Sequence, residues 1–375
     1  MFNILATHKV RLIPNKNQEA LFIKFSNVAR FVYNFSLNEK NEEFKLYGES
    51  LNLQNLLKRV RNLKYSKGYE WLLEVPEAIQ KQAIKDMLTA YKNFYSRGCK
   101  GFPKFKRKGK SKLSFYQRTD KLQKIDNRHI KLTGIKSPIK VNDEILDKGF
   151  LNPRVSFDGK YWYLTYSIEI DKVIFSDLEG VLGVDLGIKN LATVSNGMIF
   201  KNINKSKKVL RLEMLKKRLQ RSISRKYLLN KESKGYIKTS NILKEEEKLR
   251  ILRRRLRNIR ETYIHEITST LVKIKPKKIV IEDLDVSSML RNKYFAPSIV
   301  KCCFYKFRTF LEYKCNYYGI ELVIADRNFP SSKICSNCGS VKKKLSLSER
   351  AYCCPNCGYE LDRDLNASLN LMNYC

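Results

Sequence analysis

The chain has 375 residues, enough for two or three domains with sizeable cores. Hydrophobic residues make up 43%, which excludes a disordered chain, and 74 Lys plus Arg against 37 Asp plus Glu give a formal net charge of +37. A field of that size repels itself and is useful only against a polyanion, so nucleic acid comes first and an anionic membrane second. Without an apolar run of about 18 residues there is no candidate spanning helix.

Residues 1–14 (MFNILATHKVRLIP) lack a long apolar core and a small-residue cleavage site, so they read as mature sequence and as a strand stopped at Pro14. Leu21, Phe25, Val28, Val32 and Phe35 recur at helical spacing, which predicts a helix over 17–40. A second helix follows Pro76, with Ile79, Ala83, Met87, Ala90 and Phe94 on one stripe. Residues 15–99 therefore form a small helical module. Residues 101–108 (GFPKFKRK) are basic with interleaved aromatics, and short strand-like runs follow at 130–132, 139–141 and 162–168. Residues 100–176, together with 1–14, read as a small β-barrel or sheet.

From 177 the pattern becomes α/β. Residues 181–186 (VLGVDL) and 191–195 read as buried strands, with Gly197 at the following turn. Residues 203–273 are helical and basic: 201–260 hold 22 Lys/Arg against 5 Glu and no Asp, so this stretch offers a phosphate-binding face. Gly235 divides it into a hairpin whose second arm carries the stripe Leu249, Leu252, Leu256, Ile259, Tyr263 and Ile267. Residues 278–282 (KIVIE) are a buried strand, 298–318 a helix, 321–325 a strand and 364–373 a closing helix.

The sharpest local signal is Cys335-Ser-Asn-Cys338 and Cys354-Pro-Asn-Cys357, separated by fifteen residues and each followed by glycine, Gly339 and Gly358. Each pair makes a tight turn with two thiolates facing one ion. Two such turns complete a closed tetrahedral Zn2+ site, structural rather than catalytic. Cys353 is the alternative to Cys354, with poorer spacing. Cys99, Cys302, Cys303, Cys315 and Cys375 show no disulfide framework, so a reducing, cytoplasmic compartment is expected.

Three acids stand in matching contexts. Asp185 ends an apolar strand in Gly183-Val-Asp-Leu-Gly187, Glu282 ends KIVIE ahead of Asp283 and Asp285, and Asp364 opens the last helix in Asp362-Arg-Asp-Leu-Asn-Ala-Ser368. Carboxylates at the ends of neighbouring strands can hold two hard divalent cations on a scissile phosphate, and Mg2+ suits such a set. Gly187 would leave room for a phosphate backbone. Each acid alone is more often a turn residue or a helix cap. His265, one of three histidines, reads as a packing or hydrogen-bonded side chain rather than a ligand.

With these residues in place, the chain resembles the TnpB family of transposon-encoded proteins, relatives of type V CRISPR effector nucleases. The likeness runs through Lys9-Val-Arg-Leu-Ile-Pro14, Arg30-Phe-Val-Tyr-Asn34, Gly101-Phe-Pro-Lys-Phe-Lys106, the Asp185 and Glu282 strands, Met289-Leu-Arg-Asn292, Phe329-Pro-Ser-Ser-Lys333 and the Asp364 motif. The resemblance implies an RNase H-like (RuvC) nuclease domain over 177–329 and 361–375. A zinc ribbon is inserted at 330–360, a helical recognition domain spans 15–99, and a wedge β-barrel is built from 1–14 and 100–176. It implies Asp185, Glu282 and Asp364 as metal ligands, with Asp362 the weaker alternative for the third. It implies a guide RNA from the transposon end and double-stranded target DNA as partners, beside the nucleoid if the source is prokaryotic. Lys104, Lys106, Arg107 and Lys108, with Phe102 and Phe105, and Arg253, Arg254 and Arg257 on the hairpin are the expected nucleic-acid contacts.

Three other readings remain at this level. A nuclease-silent guided repressor would be expected to lose one of the acids. A transposase acting without guide RNA through a tyrosine would form a protein–DNA link. A plain zinc-ribbon binder leaves the acidic contexts unexplained.

Overall fold

The computed structural model describes residues 3–97, 101–146, 149–232, 235–346 and 349–374. The chain divides into two compact units, Asn3–Ile170 and the stretch from Asp171 onward.

The first unit opens with strand β1 (Asn3–Ile13). Helix α1 (Lys16–Tyr47) starts at a capping box in which the Asn15 side chain accepts from the Gln18 N–H and the Gln18 side chain accepts from the Asn15 N–H. It ends at Gly48, whose φ of 71° needs no Cβ. The helix outruns the expected 17–40 because its last turns bury no side chain, with Phe44, Leu46 and Tyr47 exposed, and so carry no apolar stripe. Helix α2 (Leu53–Lys64) lies outside the expected elements, although Leu53, Leu56, Leu57, Val60 and Leu63 recur at helical spacing; Leu56 and Val60 are buried, and Leu53, Leu57 and Leu63 pack against the same core. Helix α3 (Glu77–Arg97) follows Pro76 and buries Ile79, Ala83, Ile84 and Met87.

Strands β2 (Ser114–Tyr116), β3 (Gln123–Asp126), β4 (His129–Lys131), β5 (Ile139–Val141), β6 (Leu151–Phe157) and β7 (Trp162–Asp171) join β1 in one seven-stranded sheet, ordered β2-β6-β7-β1-β5-β4-β3. The helices lie on this sheet with a common core. Phe22 and Phe25 of α1 stand 5.6 and 5.4 Å from Phe115 of β2, and Phe22 stands 5.0 Å from Trp162 of β7. Aromatic pairs at these spacings hold helix and sheet together beyond their area burial.

The second unit is an α/β layer structure. Strands β8 (Val181–Leu186), β9 (Asn190–Val194) and β10 (Ile199–Lys201) form an antiparallel meander. Helix α4 (Lys207–Leu229) runs through a short ladder, β11 (Lys231–Glu232) with β12 (Gly235–Tyr236), into helix α5 (Ser240–Lys273), which makes the expected hairpin. Leu249, Leu252, Leu256 and Ile267 of its stripe are buried. Buried Glu213 of α4 ties the hairpin together through Arg260 of α5 at 2.6 Å and pairs with Lys216 of its own helix at 2.6 Å.

Strand β13 (Lys278–Glu282) then lies parallel to β8. Helices α6 (Val286–Met289), α7 (Ala296–Cys302) and α8 (Phe304–Tyr318) lead to β14 (Glu321–Ala325), parallel to β13. The single helix expected over 298–318 is in fact two. Cys303 adopts φ 55°, and the Asn204 amide takes the Lys301 carbonyl at 3.0 Å, so the ladder stops there. The five strands take the order β10-β9-β8-β13-β14. Ile279 and Ile281 face the core with α5, α7 and α8, while Val280 faces the other side with Leu371. Alternation along β13 therefore covers both faces, as a buried central strand requires. Last come β15 (Ala351–Cys353), β16 (Glu360–Asp362) and α9 (Arg363–Met372). Among the described residues no helix is long and apolar enough to cross a membrane.

Candidate nuclease centre and metal cluster

Asp185 lies near the carboxyl end of β8. Glu282 closes β13, one step beyond the Val184–Ile281 pair of the parallel ladder. Asp364 sits in the first turn of α9, where an acid also suits the helix dipole. The three meet electrostatically. Burial first, then the charges of Glu282 and Asp364, hold the Asp185 carboxyl well above the usual carboxylate range. Burial also raises Glu282, opposed by the Ser331 hydroxyl, which donates to its Oε1, and by the Arg363 charge.

The neighbouring acids are engaged elsewhere. Asp283 pairs with Arg308 at 3.0 Å and Arg327 at 2.9 Å. Asp285 caps α6 by accepting from the Ser288 N–H at 3.0 Å. Asp362 caps α9 by accepting from the Asp364 and Leu365 N–H groups, at 2.9 and 3.2 Å. Of the acids whose charges reach Asp185, Glu282 comes first, then Asp364, and Asp362 last.

What brings α9 to β8 is Gly183. A Cβ there would lie 1.9 Å from the Ser368 carbonyl oxygen and 2.4 Å from the Met372 nitrogen, so helix and strand touch backbone to backbone. At Gly187, expected to make room for a phosphate, an added Cβ would meet the Asn190 oxygen of the same hairpin at 3.1 Å.

The cysteines form a second centre. Among the described residues, Cys335, Cys338, Cys354 and Cys357 are the group whose ligand atoms all lie within 4.8 Å of one another. Cys335 Sγ is 3.7 Å from Cys357 Sγ, and Cys338 Sγ is 3.6 Å from Cys354 Sγ. With Zn–S bonds of about 2.3 Å, the sulfurs of a tetrahedron stand about 3.8 Å apart, so the cluster fits zinc. Gly339 and Gly358 have φ of 74° and 70°, the left-handed turn each knuckle needs. The Ser340 hydroxyl draws the Cys338 thiol down to about 5. Cys353 turns away to Glu360, at 3.1 Å, which settles the choice in favour of Cys354. Cys99 and Cys375 lie outside the described residues.

The expected nucleic-acid contacts divide. Lys104, Arg107 and Lys108 are exposed, as are Arg253 and Arg257, while Arg254 is half-buried. Lys106 departs from the expectation. Its ammonium stands 3.8 Å over the Tyr33 ring, and burial draws its pKa down against the pull of Asp86. It therefore acts as a packing cation. Phe102 packs edge-on against Tyr91 and Phe94, at 5.4 and 5.6 Å, and Phe105 is about half exposed (51%). His265 stacks on Phe310 at 3.8 Å, and Tyr313 lies 3.3 Å from its Nδ1, so it is a packed side chain. Sequence reasoning missed Gly183, Ser331, Asn366 and Asn370. The two buried asparagines inside α9 were the available signal, since asparagine disfavours a helix interior.

The raised Asp185 carboxyl has a consequence for stability. An unfolded Asp titrates near about 3.9. Between that value and the raised folded one, the native state holds a proton that the unfolded chain releases, so stability falls as pH rises. In buffer free of Mg2+, Asp185→Asn should raise the melting temperature at neutral pH. The gain should shrink as pH falls toward about 4, where both states are protonated. Calorimetric melts across that range test this, and a mutant no more stable at neutral pH would contradict it.

Three family models match the chain: a helix-turn-helix domain of the OrfB IS605 type over residues 1–49, a probable transposase of the same type over 177–293, and a Cas12f1-like TNB domain over 304–371. In this structure the first of these stretches is the strand β1 and the whole of the long α1. A protein of Streptomyces pristinaespiralis named "Putative RNA-guided DNA endonuclease" is 30% identical over 379 residues, covering 99% of this chain and 90% of that protein. "Putative RNA-guided DNA endonuclease InsQ" of Escherichia coli K12 is 27% identical over 389 residues, covering 98% and 92%. The fold is similar to that in a cryo-EM structure of a Cas12f1–sgRNA–target DNA complex, with a TM-score of 0.59 at 17% identity over 96% of this chain and 84% of that one.

Proposed function

The chain belongs to the TnpB family of RNA-guided DNA endonucleases, and from that membership we propose that it cuts guide-matched DNA by two-metal-ion phosphodiester hydrolysis at Asp185, Glu282 and Asp364. The observation that carries the catalytic assignment is the electrostatic meeting of these three carboxylates at the ends of β8 and β13 and the start of α9, with Asp283 paired to arginines and Asp285 capping α6. A pair of Mg2+ ions would polarise the scissile phosphate, supply hydroxide and stabilise the leaving oxygen.

The chain's own groups do the rest. Asp185, raised by burial and then by its acidic neighbours while unliganded, is a site where a dication relieves repulsion. The Ser331 hydroxyl fixes one oxygen of Glu282, and backbone contact at Gly183 fixes the helix bearing Asp364. Cys335, Cys338, Cys354 and Cys357 would hold a closed structural Zn2+. The RuvC-type core is the sheet β10-β9-β8-β13-β14 with its helices. Within the first unit the helical part (15–99) would serve as recognition module and the strands (1–14 and 100–176) as wedge, holding the guide RNA from the transposon end and reading DNA beside the target. Base pairing supplies the sequence specificity and the protein reads backbone and shape.

The exposed trio Lys104, Arg107 and Lys108 gives a quantitative expectation. Each phosphate contact contributes roughly 0.7 to 0.9 to the slope of log affinity against log salt. Changing all three to alanine should flatten that slope by about 2 to 3 without altering which guide-matched sequence is bound. Filter binding over a salt series measures it, and an unchanged slope would remove these residues from the interface.

The test of the whole reading is co-purification. The chain is expressed with the transposon-end DNA that flanks its gene, and bound RNA is sequenced. A discrete RNA ending in variable flanking sequence, followed by Mg2+-dependent cutting of a matching target, is the expected result. Purification free of RNA with cutting of any DNA would leave the nuclease and remove the guide. A covalent protein–DNA adduct would indicate transposase chemistry.

A further inference from the structure

We propose that Asn366 and Asn370 are positioning residues which fix the segment 331–336 between the zinc knuckle and Glu282, so that zinc occupancy raises the divalent-cation affinity of the nuclease centre. The inference rests on the two-metal reading of Asp185, Glu282 and Asp364.

Both asparagines are buried inside α9, at 0% and 5% exposure. Asparagine lowers helix propensity and a buried amide must find partners, so two of them in one ten-residue helix need a reason. All their observed partners lie in one short stretch. Asn366 Nδ2 donates to the Ile334 carbonyl at 2.7 Å, and its Oδ1 accepts from the Ser336 N–H at 3.0 Å. Asn370 Nδ2 donates to the Ser331 and Ile334 carbonyls, both at 2.7 Å.

That stretch has a function at each end. Ser331, itself buried, donates its hydroxyl to Glu282. Cys335 is the first thiolate of the metal cluster. Midway, the Lys333 carbonyl accepts from the hydroxyl of Tyr352 at 3.1 Å, and Tyr352 is fully buried beside Cys335 and Cys354. Zinc that draws Cys335 and Cys354 onto one ion therefore sets Tyr352 and the stretch. The asparagines lock the stretch to the helix that bears Asp364, and Ser331 holds Glu282. Partners of this kind behind metal ligands typically change metal affinity 10- to 100-fold.

The test titrates Mn2+ into the purified full-length chain, following free Mn2+ by EPR, alongside zinc content by elemental analysis and thermal melts. The variants are Asn370→Asp, which turns a donor into an acceptor facing two carbonyls, Ser331→Ala, which removes only the hydroxyl, and Cys338→Ser. Mn2+ affinity should fall about tenfold in Asn370→Asp and Ser331→Ala with one zinc retained per chain, and in Cys338→Ser as zinc is lost. In the guide-loaded complex, the Mg2+ concentration for half-maximal cutting should rise equally, and saturating Mg2+ should restore the rate. A purely packing role would lower the melting temperature and leave these concentrations unmoved. Mn2+ affinity within twofold of wild type in Ser331→Ala and Cys338→Ser overturns the proposal, even should Asn370→Asp not fold. Asp185→Ala separates the two readings: Mn2+ binding insensitive to it removes the carboxylate site itself, not the coupling.

Discussion

Asp185→Ala should reduce cleavage of guide-matched DNA by well over a hundredfold, more than the roughly 10- to 100-fold typical of losing a partner behind a metal ligand, while RNA binding and zinc content stay at wild-type levels. The same holds for Glu282→Ala and Asp364→Ala. The reason lies in what each acid costs and gives. The Asp185 carboxyl is desolvated and repelled by Glu282, Asp364 and Asp362, so removing it relieves the unliganded fold. Asp364 contributes to folding mainly as an acid in the first turn of α9, worth about 0.3–1 kcal/mol. Glu282 leaves behind only the Ser331 hydroxyl. Three residues that stabilise the fold so little, placed together at one end of a sheet, make sense as ligands for charge supplied from outside. The assay pairs target cleavage in Mg2+ with a gel shift of the guide RNA. Cleavage persisting in any one mutant removes that residue from the ligand set. Loss of RNA binding in parallel would mean that the fold, and not the chemistry, had failed.

The features legible in the sequence share a physical property: they are written in local spacing. The strands β8 and β13 appear as apolar runs because both their faces are covered, and the metal cluster appears because a knuckle needs two cysteines three apart and a glycine after them. What the sequence hid depends on distant partners. The break at Cys303 depends on Asn204, about a hundred residues away in the chain. Lys106 reads as one lysine among several in a basic run, yet the Tyr33 ring beneath it and Asp86 nearby turn it inward. The contacts that assemble the candidate nuclease centre are of the same kind. Ser331 reaches Glu282 across 49 residues, and Asn366 and Asn370 reach the knuckle segment across 30 to 39. Only the chemistry-bearing ends of these contacts leave a mark in the linear pattern.

Gly183 shows the consequence most sharply, because a single methyl group should cost both stability and activity. Two residues before Asp185, it would be read as an ordinary small residue of a buried strand. In the fold its missing side chain is the contact surface of α9: an added Cβ would meet the Ser368 oxygen at 1.9 Å and the Met372 nitrogen at 2.4 Å. Both are backbone atoms of a helix whose other side packs against the knuckle segment through Asn366 and Asn370, so neither can swing aside as a side-chain tip could. Overpacking a core typically costs about 1–3 kcal/mol, and Gly183→Ala belongs at or beyond the upper end because the strain falls on two backbones. If α9 yields, Asp364 moves with it, and misplacing a reacting group by about 1 Å can cost about a hundredfold in rate. Gly183→Ala should therefore melt several degrees below wild type and, where still folded, cut at least about a hundredfold more slowly. Gly187→Ala, whose Cβ would meet only the Asn190 oxygen at 3.1 Å, should be milder in both measurements. Thermal melts and single-turnover cleavage on the two variants decide it. If Gly187→Ala proves the more damaging, the phosphate-approach role first read for that glycine regains its place, and the backbone contact between β8 and α9 is not what sets the position of Asp364.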